Sequence, residues 1–118
     1  MKKKLIKLPK EVHVGARTYK IMDLRHYEHE DNCGDTCNIK QEIRMYQLDE
    51  NARTELQELD TLTHEILHAG CAAYGSPFSF AQEERAVNFF ARIMADVFLH
   101  NPDLLRYYKE TLTRIRRR

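Results

Sequence analysis

The sequence has no tryptophan, four glycines, three prolines and three cysteines among 118 residues. So little glycine and proline excludes a collagen-like or low-complexity chain. An odd cysteine count excludes a complete disulfide framework, and reduced thiols in a cytoplasmic protein are the simplest expectation. No apolar run approaches the roughly 18 residues of a membrane span. Met1-Lys2-Lys3-Lys4 leads only into Leu5-Ile6-Lys7-Leu8-Pro9, too short and interrupted for a signal-peptide core. Nor does one sign of charge prevail. Nineteen Lys and Arg against eighteen Asp and Glu leave +1, which argues against a dedicated nucleic-acid domain. With 42% hydrophobic and 31% charged residues, the chain reads as a single globular domain.

Histidine, by contrast, is plentiful for so short a chain. His13, His26, His29, His64, His68 and His100 include two close pairs, His26/His29 and His64/His68. Metal sites need imidazoles close together, so the pairs matter most.

The first quarter reads as β structure. Val12 and Val14, then Tyr19 and Ile21, alternate with polar residues, which predicts a hairpin over Glu11–Asp23 turning at Gly15-Ala16. Residues 25–38 read as a polar loop, and Ile43 and Met45 mark a third strand over Gln41–Gln47. Beyond Asp49 the period lengthens. Leu56, Leu59, Leu62, Ile66, Ala69 and Ala73 predict a long helix from about Asn51 to Tyr74, stopped by Gly75-Ser76-Pro77. Ser79 and Gln82 form a capping-box pair that opens a second helix, Phe80–Leu99, with Val87, Phe90, Met94 and Val97 on one face. Asn101-Pro102 reads as an N-cap and first helical residue of a third helix ending near Arg114. Strands first and helices after predict an α+β fold, with about three strands and flexible basic ends at 1–10 and 114–118.

Chemistry concentrates in His64-Glu65-Ile66-Leu67-His68, an HExxH motif inside the long helix. Residues four apart on a helix lie one turn above each other, so both imidazoles can grip one Zn²⁺. Glu65 sits beside the first ligand, where it can take a proton from an activated water without binding the metal. With this composition the motif arises by accident in about 3% of sequences, so it is a real signal. The bland reading is a pair of exposed histidines on an amphipathic helix.

A catalytic zinc wants a third protein ligand. The downstream candidates are Glu83 and Glu84, in the first turn of the second helix. Glu84 is preferred because it shares a face with Asn88, Ala91 and Ala95, whose small alanines allow close packing. Asn88 could then hydrogen-bond a zinc histidine. Glu83, in line with Val87, Phe90 and Met94, is the competitor. Either could instead be an acidic residue complementing the helix dipole.

Thr63-His64-Glu65-Ile66-Leu67-His68-Ala69, Glu83-Glu84-Arg85-Ala86-Val87 and His100-Asn101-Pro102 resemble a small family of phage and prophage zinc metallopeptidases. These are zincins, similar to the gluzincin branch. Val14-Gly15-Ala16-Arg17-Thr18-Tyr19 and Ile43-Arg44-Met45 resemble that family's N-terminal half. The resemblance implies a zincin fold in the bacterial or phage-infected cytoplasm, one catalytic Zn²⁺ and a peptide or protein substrate. It also implies that the strand near Ile43 borders the active-site cleft.

Cys33 and Cys37, with His26 and His29, could form a second zinc site, a disulfide or free thiols. Cys71 reads as a small packed side chain. Tyr46, Tyr74, Tyr107 and Tyr108 are candidate oxyanion stabilisers that nothing in the sequence ranks. His13 should face solvent from its strand, and His100 should lie in the loop that ends the second helix. The reading favoured is a zinc hydrolase with ligands His64, His68 and Glu84 and general base Glu65. The alternative is a non-catalytic, zinc-stabilised module that contacts a protein or nucleic acid through its basic ends.

Overall fold

A computed structural model describes residues 5–28, 33–47 and 55–118. It is an α+β fold with a four-stranded mixed sheet and three helices: β1 Glu11–Val14, β2 Arg17–Glu28, β3 Gly34–Cys37, β4 Glu42–Gln47, α1 Glu55–Tyr74, α2 Phe80–His100 and α3 Pro102–Arg116. Strand order is β1-β2-β4-β3. The β1–β2 hairpin pairs Val12 with Tyr19, and its two-residue turn has Gly15 at positive φ, the pattern of a type II′ turn.

Two expectations for this half need correction. The segment 25–38 is not all loop, because β2 runs on to Glu28 and Gly34–Cys37 forms β3. Among the described residues there are therefore four strands, and β4 pairs in parallel with β2 while β3 returns antiparallel beside it. Gly34-Asp35-Thr36-Cys37 carries no apolar alternation, so its strand character comes from the β4 edge it pairs with. Lys20 N–H donates to Gln41 O and Tyr46 N–H to Cys33 O, extending this pairing at the strand ends.

One face of the sheet supplies the core. Tyr19, Ile21, Ile43 and Met45 are buried against Ala69 of α1, with Leu62 and Ile66 packed beside them. Leu8 joins this core, so the stretch before β1 is tied down at that residue. Leu56 and Leu59 share the predicted apolar row of α1 but are exposed. The expected start of α1 near Asn51 lies outside the described residues. Arg25, inside the sheet-helix layer, pairs with Asp23 on its own strand and with Glu58 of α1, clamping β2 to the helix.

The α1 helix ends at Gly75, whose φ of 70° a side chain would strain, and Ser76 N–H donates to Cys71 O there. The capping box then opens α2 as predicted, with Ser79 accepting from Gln82 N–H and Gln82 accepting from Ser79 N–H. Helix α2 meets α1 through Val87, Ala91 and Ala95, which are buried, while Phe90 is exposed. The small residues, not the bulky ones, face the neighbour. Asn101 precedes Pro102 as expected, but its side chain donates to Val97 O at the end of α2 and gives the start of α3 no side-chain cap. His100 is the last residue of α2 rather than part of a loop.

Candidate metal centre

The two histidines of the motif come together as the helical spacing requires, with their Nε2 atoms 3.1 Å apart. Both belong to the middle of α1 and are largely buried. The turn at Gly75–Ser79 sends α2 back along α1, so its first turn reaches the histidines. Glu84 Oε1 then lies 3.2 Å from His64 Nε2, and Glu84 Oε2 lies 2.9 Å from His68 Nε2. Tetrahedral zinc with bonds near 2.0–2.1 Å needs donors about 3.3 Å apart. Two imidazole nitrogens and a carboxylate at these separations fit that requirement, and His64, His68 and Glu84 could hold a metal ion.

Glu83 has a different place from its neighbour. Its Oε2 lies 2.7 Å from Nδ1 of His68, on the far side of the ring from Glu84. A carboxylate can only accept, so Nδ1 carries the proton and Nε2 turns its lone pair toward Glu84 and His64. The outer partner of the histidine is therefore Glu83 and not Asn88, which is exposed. The consecutive pair Glu83-Glu84 was the available signal. Two carboxylates one residue apart on a helix diverge by about 100° and can serve both nitrogens of one ring.

Glu65 is 6% exposed, wedged between α1 and β3 rather than lying at the rim of the histidine face. Thr36 Oγ1 is 2.8 Å from Glu65 Oε1 and 3.1 Å from its carbonyl oxygen. Burial pushes the Glu65 carboxyl above its usual range, against the Thr36 hydrogen bond and the nearby His64 and His68, which pull it down. Gly34 makes this closeness possible. A Cβ there would stand 2.9 Å from Thr61 Cγ2, 3.0 Å from Arg44 O and 3.4 Å from Glu65 Cγ. Neither Gly34 nor Thr36 carried a signal in a segment that reads as polar loop.

The strand that touches Glu65 is thus β3, at the edge of the sheet beside β4. Ile43 is fully buried inside the sheet. Asp35 of β3 is held by Arg44 at 2.7 Å, and Tyr46 donates to Asp35 at 3.4 Å. Tyr74, Tyr107 and Tyr108 are exposed, on α1 and α3. Along the same α1–α2 seam lies a cavity of about 300 Å³ lined by Leu56, Asp60, Arg92, Ala95, Asp96 and Leu99.

Among the described residues no second zinc site is assembled. Four residues of extended chain separate Cys33 from Cys37 by about 13 Å, too far for one ion or a disulfide. Both are free thiols, as is Cys71, whose thiol is pushed up chiefly by burial. His29 lies outside the described residues. His13 faces solvent beside Thr18, as expected. Among the described residues no helix is long and apolar enough to cross a membrane. No known protein family, curated protein or solved structure matches this chain.

Proposed function

We propose that this chain is a zinc-dependent hydrolase of the HExxH type, a zincin-like metallopeptidase with a glutamate as third ligand. The observation that carries the reading is the convergence of His64 Nε2, His68 Nε2 and the Glu84 carboxylate. Among the described residues no fourth His, Cys, Asp or Glu joins this group, which favours an open catalytic position over a closed structural site. That distinction supports an enzyme over a zinc-stabilised binding module.

A zinc ion held there supplies Lewis-acid polarisation of a carbonyl and a water acidified to about pKa 7. The chain's own residues do the rest. Glu83 orients His68 through Nδ1. Thr36 occupies Oε1 of Glu65, leaving Oε2 to take a proton from the attacking water and to pass it to the departing amide nitrogen. Burial of that carboxyl raises its proton affinity, as a proton carrier requires.

Metal analysis of untagged protein tests the reading. About one zinc per chain is expected, lost in His64→Ala and Glu84→Ala, with Glu65→Gln keeping its zinc but losing hydrolysis of a quenched-peptide library. No zinc uptake by the wild type on reconstitution overturns it.

A further inference from the structure

The helical row that carries the two metal histidines extends one turn before them. Asp60, His64 and His68 follow one another at four-residue steps on α1, each about 6 Å further along the axis. Asp60 lines the cavity of about 300 Å³ between α1 and α2. That volume is at the small end of ligand pockets, which run from about 300 to 1,000 Å³, and suits one long side chain. Leu56, Ala95 and Leu99 give the cavity apolar walls, while Asp60, Arg92 and Asp96 give it charge.

Two carboxylates against one guanidinium leave the cavity acidic. Asp96 is exposed and lies 3.3 Å from Nδ1 of His100 on its own helix. Asp60 is different. Its Oδ1 is shut off from water and meets no hydrogen-bond donor. A carboxylate oxygen stripped of water and left without a donor is costly, and a charged donor brought to the same group offsets that cost. Arg92, on the facing helix, is exposed and does not supply it. Nor is a metal ion the missing cation. Among the described residues only His64, His68 and Glu84 stand close enough together to hold one. An organic cation on an aliphatic stem fits both parts of the cavity. The stem covers the leucines and Ala95, and the head brings donors and positive charge to Asp60. Lysine and arginine side chains have this form. An extended peptide advances about 3.3 Å per residue, so about two residues span the distance from His64 to Asp60.

We propose that this cavity binds the side chain of a lysine or arginine in the peptide substrate, about two residues from the bond presented to the metal. Where that residue lies relative to the cut rests on the peptidase reading. The preference of the cavity for a cationic side chain does not, and binding alone tests it. The full chain, isotope-labelled for NMR, is titrated with acetyl-arginine amide, acetyl-lysine amide, acetyl-norleucine amide and acetyl-glutamate amide. Both cationic probes should shift the Leu56, Asp60 and Leu99 amides and bind at least about tenfold more tightly than norleucine, the difference that a hydrogen bond between charged groups makes. Asp60→Asn, nearly isosteric, should remove that preference. Arg92→Gln should strengthen it by removing a like charge. Norleucine or glutamate binding as tightly as the cationic probes overturns the proposal, as does a preference that survives Asp60→Asn. With zinc bound, peptides cut from a library should carry lysine or arginine at one fixed position near the cut. Cleavage without that enrichment overturns the subsite, whereas cation binding without any cleavage refutes the peptidase reading and leaves the cation site standing.

Discussion

Neighbouring glutamates at the start of α2 differ in what they face. Glu84 lies against both Nε2 atoms, whereas Glu83 holds the Nδ1 proton of His68. Loss of Glu84 should therefore abolish metal binding, while Glu83→Gln should weaken it by about 10–100-fold, the usual effect of removing an outer carboxylate. Competition with a zinc-sensitive dye measures both. Equal losses in the two variants would refute this division of roles. Gly34 has a comparable single-residue weight. Gly34→Ala forces β3 away from Thr61 and Glu65, and should cost about 1–3 kcal/mol in urea unfolding. A neutral outcome would show that β3 has room to yield. The paired histidines and both glutamates were legible in the sequence, since one turn of helix dictates who shares a face. Thr36 was not, because its contact with Glu65 spans 29 residues of chain and depends on a strand pairing with no apolar pattern.

Among the elements, β2 and α1 are joined by Arg25 as well as by the apolar core. Its guanidinium is nearly fully buried between Asp23 and Glu58. Removing one partner of a buried ion pair is costly, so Arg25→Met should destabilise the chain by about 3 kcal/mol at pH 7. The Arg25 hydrogen bond holds the Asp23 carboxyl below its ordinary value, despite partial burial. A depressed carboxyl contributes stability that is complete above its unfolded pKa near 4 and is lost as pH falls through the lower folded value. The gap between wild type and Arg25→Met should therefore narrow below about pH 4 in urea titrations. A gap constant down to pH 2 would mean that the Asp23 pairing contributes nothing. The helix boundaries at Gly75 and Ser79 needed only local chemistry, a positive φ and a reciprocal cap. By contrast, which face of α2 turned inward depended on α1. The alanine face fits closely against another helix, and Phe90 was left outside.

At the scale of the molecule, a few apolar residues form the core: Tyr19, Ile21, Ile43, Met45 and Ala69, with Val87, Ala91 and Ala95 under α2. A metal bridging α1 and α2 would add to this modest core by binding only the folded state. Free zinc at 100 times its dissociation constant should raise stability by about 2.7 kcal/mol, and a chelator should remove the gain. Melting curves with zinc and with chelator test this. Glu84→Ala, which lacks the third donor, should melt alike in both. The placing of strands before helices, the HExxH row and the Ser79–Gln82 cap were determined by the sequence alone, because each rests on periodicity or on contacts within a few residues. The parallel insertion of β4 between β2 and β3, the approach of Thr36 to Glu65 and the separate duties of Glu83 and Glu84 were decided only in the tertiary structure. Each joins residues far apart in the chain, and the energy that selects them comes from fitting whole surfaces together, which no local pattern encodes.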